Sequence, residues 1–510
     1  MNKTFTHKAI KNAESAEVNN LSSRLQQLGD YLETYQKFEH ADAMDNYVEW
    51  KTILDHNAPN KGVGLDKVMD ELGNVIIPNG SQIPNPGSTS FITTGATNAG
   101  VLANLSALVA APQRIGLHAF NFLEELSLQW LAEIFELPNE MKGVYSSGGS
   151  VANLVALGAA RQWAFEKINI DPAADGLTKK CRIYATEASH HTIHRAAAVL
   201  GLGRNSVITI DSDNMGRMLP EKLNQQLIID FKKDALPVAI VANAGTTATG
   251  AIDPLEKLGI IAKEHGIWFH IDGAYGLPGI LDERVKPLYK GLKLADSIIV
   301  DPHKWLGAPI GIGATFVRDR NLLHRAFKQG ESDYLEGSCS DDSAQHSMDQ
   351  FGVPYHDFGV ELSSPSRGVV VWALIREIGK QGLKDRICRH NDMARQLAEI
   401  VNEHPQLELV QEPTLSICCF RYVGEHCTDS DTLNELNRRL HRQLVHNNKN
   451  IPSTVMIDGK LAIRPCFIGA RANESLVQGL IDEVLHIGQQ LSAEIKSNSH
   501  LYVVNTPDKA

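Results

Sequence analysis

Short apolar runs recur along the middle of the chain, each closed by small or polar residues and separated by helical sequence. They fall near 143–146, 182–186, 206–210, 237–242, 267–272, 296–301 and 312–316, which makes seven candidate strands. Several are unbroken rather than alternating, as expected of strands buried on both faces of a sheet. The pattern predicts an α/β fold over residues 91–380, with a seven-stranded, mostly parallel sheet wrapped by helices. Residues 1–90 read differently, as amphipathic helices and then a Pro/Gly/Asn-rich loop at 77–87. From 381 to 496 a helix at 383–403, strands at 415–420 and 461–464, and a last helix near 474–491 predict a small α+β domain, with 497–510 as a loose tail.

Candidate chemistry sits at the ends of these strands. The run Ser297-Ile298-Ile299-Val300 leads into Asp301-Pro302-His303-Lys304-Trp305-Leu306-Gly307. A lysine held between a turn-forming Asp-Pro and a bulky Trp-Leu is partly desolvated, which favours the reactive amine and marks a Schiff-base nucleophile. Upstream, Ile267-Trp268-Phe269-His270-Ile271-Asp272-Gly273-Ala274 places an acid at a strand's carboxyl end, 32 positions before Lys304 (304 minus 272). That pair suits pyridoxal phosphate: the lysine holds the aldehyde, and the aspartate keeps the pyridine nitrogen protonated so that the ring is an electron sink. Ala274 is small enough to lie beneath a ring. The turn Ser147-Gly148-Gly149-Ser150, between a strand and a helix running to about Lys167, offers backbone N–H groups and a hydroxyl to a phosphate.

With Ala188-Ser189-His190-His191, Gly245-Thr246-Thr247, His270-Ile271-Asp272-Gly273-Ala274-Tyr275 and Pro302-His303-Lys304-Trp305 in this order, the chain resembles the group II pyridoxal-phosphate-dependent amino acid decarboxylases over roughly residues 60–490. The family comprises aromatic-L-amino-acid, glutamate, histidine and cysteine-sulfinate decarboxylases. The resemblance implies the fold-type I architecture of pyridoxal-phosphate enzymes, with Lys304 as the cofactor lysine, His190 stacked on the ring and Thr247 beside it. It also implies a homodimer whose active site lies at the interface, the 1–90 arm packing across the partner. Tyr334, in a polar segment running to about Asp357, matches the lid tyrosine that returns a proton to Cα in aromatic decarboxylases, assisted by His190 or His303. Decarboxylation of an L-amino acid to its amine is therefore the expected activity. An aminotransferase, a carbon–carbon lyase or a silent cofactor-binding protein on the same fold are the alternatives.

Some features depart from the family pattern. Asp301 replaces an asparagine of the aromatic branch, and an acid near a phosphate is repulsive unless turned toward backbone or solvent. Ser363-Ser364-Pro365-Ser366-Arg367 keeps one cation, Arg367, of a basic cluster. Phe91, Ile92 and Thr94 match a pocket wall, with Ile92 where an aromatic residue is usual, so the substrate side chain is not necessarily aromatic; these residues and Arg367 are the substrate-binding candidates. His190 and His194 have the spacing of a zinc pair, yet no further ligand accompanies them, and no metal is expected. The Gly201-Leu202-Gly203 piece is too short for a dinucleotide fingerprint.

Composition sharpens the class. An apolar content of 43% over 510 residues supports a large core, and a net charge of −11 disfavours nucleic acid or an acidic membrane surface as partner. Seven cysteines, scattered and odd in number, suit a reducing cytoplasm. No run approaches the length of a membrane span, and no apolar signal segment follows Met1.

Overall fold

The computed structural model describes residues 21–114, 116, 118–328, 352–424 and 429–503. The chain divides into two compact units, Met1–Ser88 and Thr89–Ala510. In the first, α1 (Leu21–Tyr35), α2 (Tyr47–Leu54) and α3 (Leu65–Glu71) are followed by a π-helical turn, Leu72–Ile76. Gly73 in that turn lets the ring of Tyr31 approach, since a Cβ there would lie 2.2 Å from it. Neither α1 nor α2 buries a single residue.

The second unit is built on a sheet of seven strands: β1 (Lys142–Ser146), β2 (Cys181–Ala185), β3 (Val207–Thr209), β4 (Leu236–Asn243), β5 (Trp268–Asp272), β6 (Ser297–Val300) and β7 (Gly313–Val317). Their order is β1-β7-β6-β5-β4-β2-β3. Only the pairings made by β7 are antiparallel. The mostly parallel sheet expected from the unbroken apolar runs is therefore present. Val238 through Ala242 of β4 are all 0% exposed, the burial on both faces that such runs require.

Helices α4 (Asn98–Ala110), α5 (Ala119–Ile134), α6 (Gly149–Glu166) and α7 (Thr192–Val199) precede or alternate with the strands. α6 packs closely on the sheet because its inner face is small, with Ala152, Ala156, Ala159 and Ala160 at 0% exposure. The parallel strands end along one edge, where Asn243, Asp272 and the turn after Val300 gather with the start of α6. Ligands of open α/β sheets lie at that edge.

A second, antiparallel sheet contains β8 (Leu407–Gln411), β9 (Cys419–Tyr422), β10 (Ile451–Ile457) and β11 (Lys460–Arg464). Asp458 and Gly459, with φ of 47° and 77°, close the β10–β11 hairpin in the two-residue manner such a pair favours. Its core, centred on Phe420, Leu440 and Val484, is a cluster distinct from that of the main sheet.

Three boundaries differ from the sequence reading. The strand expected at 415–420 forms at Cys419–Tyr422, because Ser416 and Ile417 are engaged elsewhere, with Tyr275 and Cys466. The helix expected at 383–403 is the second part of α8 (Gly368–Glu403), which is broken at Gly379, whose φ of 66° leaves the helical path. The last helix, α10 (Ser475–Val503), follows α9 (Ser430–Asn447) and passes into the residues expected as a tail. No glycine or proline interrupts the sequence between Gly488 and Pro507. No described helix is long and apolar enough to cross a membrane.

Candidate active site

Lys304 stands one turn beyond β6, and its position is fixed from below. Trp305, 1% exposed, stacks on Tyr275 with ring centroids 5.1 Å apart and donates Nε1–H to His390 Nδ1 at 2.9 Å. The Tyr275 hydroxyl is in turn 2.6 Å from Ser416 Oγ. These contacts anchor the Asp-Pro-His-Lys-Trp turn to the residues after β5, to α8 and to the segment before β9. The Lys304 side chain is 19% exposed, and its Nζ lies 3.2 Å from Asp301 Oδ2.

Asp272, the last residue of β5, is 7% exposed and opens onto the same cavity. Oδ1 accepts the Ala274 N–H at 3.1 Å, and Oδ2 accepts Asn153 Nδ2–H at 2.9 Å. The partners behind Asn153 fix the direction of every proton. Because Asn153 turns its amide nitrogen to a carboxylate, its Oδ1 faces His270 Nε2 at 2.8 Å and must accept from it. His270 is 0% exposed, and burial pushes its pKa down to about 4, so the ring is neutral and Nδ1 is an acceptor. Ser297 Oγ, 2.9 Å away, then donates to Nδ1 and itself receives Trp268 Nε1–H at 2.7 Å. The chain of donors runs Trp268, Ser297, His270 and Asn153, and ends on the Asp272 carboxylate. A hydrogen bond to an ionised acceptor contributes about 1.5–3 kcal/mol.

The second Asn153 N–H reaches Thr192 Oγ1 at 3.1 Å, and that hydroxyl meets His190 Nδ1 at 2.9 Å. The Thr192 backbone N–H also points at Nδ1, at 3.3 Å. His190 Nδ1 therefore accepts, and its proton resides on Nε2. Burial lowers the His190 pKa, opposed by the Asp272 charge. At the other end of the cavity α6 begins at Gly149, and Gly148 has a φ of 131°. A Cβ on Gly148 would come 2.9 Å from the His303 ring. His303 is held by its Nδ1, 2.7 Å from the Ile312 carbonyl, and burial lowers its pKa. The cavity measures about 270 Å³.

A profile of the family described as "Pyridoxal-dependent decarboxylase conserved domain" matches residues 48–423. The chain belongs to this family. It is 29% identical over 370 residues to an aromatic-L-amino-acid decarboxylase of Bacillus atrophaeus, covering 72% of this chain and 74% of that one. It is 31% identical over 294 residues to cysteine sulfinic acid decarboxylase of Mus musculus, covering 56% of each. The fold matches that of Oryza sativa TDC, solved with PLP and tryptamine, with a TM-score of 0.84 at 22% identity over 93% of this chain and 98% of that one. The protein is a pyridoxal-phosphate-dependent amino acid decarboxylase.

The residues of the decarboxylase's cavity fit that cofactor. A glycine cradle that a Cβ would fill lies at a helix start, and the Asp272 carboxylate and the Lys304 amine line the same cavity. Ser147, Gly148, Gly149, Ser150, His190, Thr247, Asp272, Ala274, His303 and Lys304, all expected from sequence, line this one cavity. Thr247 is held through its carbonyl by Arg464. Other expected residues lie elsewhere. Arg367, 6% exposed, gives its guanidinium to Glu361 at 2.7 Å, to Ser364 and to the Gly311 carbonyl, and does not reach the cavity. Phe91 is 65% exposed, Ile92 packs on the main core, and Thr94 is buried against Gly95 and Ala470; none of the three lines the cavity. Tyr334 lies outside the described residues. Asn153, Thr192, His270 and Arg464 were missed as site residues. A lone asparagine in the Ala- and Leu-rich start of α6 was the available signal.

Proposed function

We propose that the decarboxylase converts an L-amino acid to its amine, with Lys304 carrying the cofactor, Asp272 facing the ring nitrogen, and the α6 start from Ser147 to Ser150 receiving the phosphate. The observation that carries this reading is the one-way hydrogen-bond chain ending on Asp272, on the same cavity as the Lys304 amine. Bound pyridoxal phosphate supplies a conjugated ring that accepts the electron pair left when the carboxylate departs. Asp272, oriented by Asn153, faces the ring nitrogen and holds a proton on it. His190 presents Nε2–H over the cavity, and Ala274 leaves room beneath. Tyr334, with His190 or His303, is the group assigned to return a proton to Cα. The substrate's carboxylate must be oriented away from water, which the turn around Trp305 helps to exclude.

The candidate substrates are aromatic and acidic amino acids, both named among the curated relatives. Assay of carbon dioxide and amine over a panel of both kinds tests the function. One amino acid giving the two products in equal amounts is expected. Keto acid without carbon dioxide would indicate amino transfer, and aldehyde in place of amine would remove Tyr334 from its role.

The working form is proposed to be a homodimer. α4 exposes Val101, Leu102, Leu108 and Val109 on one face, with Leu102 at 64% and Val109 at 63%. Its N-terminal end packs near Pro309, next to Ile310, which lines the cavity and is 76% exposed. A partner covering this face would complete the site's wall, and in the first unit α1 and α2 bury nothing of their own. Deletion of residues 1–60 is expected to give aggregated or inactive protein by sedimentation and assay; a soluble, active monomer would refute the dimer.

A further inference from the structure

A carboxylate has the wrong charge for a phosphate seat, and Asp301 lies in one. It is 2% exposed, and Oδ2 accepts the Gly149 N–H at the start of α6 at 3.0 Å while standing 3.2 Å from Lys304 Nζ. Oδ1 is buried with no hydrogen-bond partner among the described residues. The space is shaped to this carboxyl: a Cβ on Gly149 would come 2.6 Å from Oδ2, and one on Gly313 would come 2.7 Å from Oδ1. The charged and titratable groups facing it are Lys304 and His303 from its own turn, with His303 Nε2 at 3.8 Å, and His190 from the opposing loop. α6 and β7 face it with the backbone of Gly149 and Gly313.

Cofactor loading alters both partners of Oδ2. The Lys304 ammonium gives its proton to solvent, and the amine condenses with the cofactor's aldehyde, releasing water and leaving Asp301 without its cation. A phosphate oxygen competes for the Gly149 N–H. An ionised Asp301 would then be buried beside a second anion with nothing to offset it, which is strongly unfavourable. We propose that Asp301 makes cofactor loading proton-coupled: ionised, it pairs with Lys304 and caps α6, and on loading it takes one proton from solvent and donates that O–H to a phosphate oxygen. His303 is a poor alternative site for this proton, since burial already disfavours its charged form.

This inference rests on the placement of Lys304 and the phosphate proposed above, and the test separates the two. Cofactor-free protein and Asp301→Asn are titrated with pyridoxal phosphate, and with pyridoxal lacking the phosphate, between about pH 6 and pH 8.5. The variant is expected to bind pyridoxal phosphate more tightly than the parent, by a ratio that grows up to about tenfold per pH unit. Comparing variant with parent at each pH cancels the cofactor's own titration. With pyridoxal the gain should be smaller and owe only to Lys304's changed pairing. A ratio near one, a ratio independent of pH, or an equal gain with pyridoxal overturns the proposal. Asp301→Ser serves if the asparagine variant does not fold. Borohydride trapping in the parent checks the lysine independently: if no adduct forms on Lys304, it is the site reading that fails.

Discussion

Lys304→Ala is expected to lose nearly all turnover while the protein still folds. No other lysine lines the cavity among the described residues, so none stands ready to take the aldehyde in its place. The substitution has a second effect, since Asp301 loses the cation 3.2 Å away. Lys304→Arg separates the two, because it keeps a cation beside Asp301 but has no amine that can condense with the aldehyde. Carbon dioxide release should vanish in both, while the thermal midpoint falls mainly in the alanine variant. Appreciable turnover in either would remove Lys304 from the chemistry.

The next largest effect is expected at Asp272. Asp272→Asn should bind the cofactor nearly as well as the parent, because the proposed phosphate cradle and Lys304 are untouched, yet lose several orders of magnitude in rate. The reason is electrostatic: an amide cannot hold a proton on the ring nitrogen, and an uncharged pyridine is a poor electron sink. Asn153 should report the same mechanism at one remove. Asn153→Leu keeps the side-chain size but deprives Asp272 Oδ2 of its donor and leaves His270 Nε2–H buried without an acceptor, so a smaller fall of the same kind is expected. Spectrophotometric cofactor titration run beside the rate assay distinguishes this from lost binding. Near-normal turnover in Asp272→Asn would exclude the electron-sink role.

What could be read from the sequence was what is local in it. Parallel strands buried on both faces appear as unbroken apolar runs, and residues such as Asp272 and Lys304 stand directly at their ends, so strand and chemistry were visible together. The support around Asp272 was not. Asn153 and Asp272 are 119 positions apart, and His270 meets Ser297 only through the register of β5 on β6. In the sequence His270 is simply a polar residue within a strand. Arg367 misled for the converse reason. It follows a Ser- and Pro-rich turn like a free cation, but Glu361, six positions earlier, takes up its guanidinium. Asp301 was legible as a residue at odds with a phosphate. That it is turned into the backbone of α6 could come only from the packing of Gly149 and Gly313 around it.

The central claim is that Lys304 holds the cofactor opposite Asp272. The most direct measurement is peptide mass mapping of the holoenzyme after borohydride reduction. A pyridoxyl-phosphate mass on the peptide containing Lys304, and on no other lysine, is the result this account predicts. The same mass on a different lysine, or a cofactor bound with no reducible lysine bond at all, would contradict it.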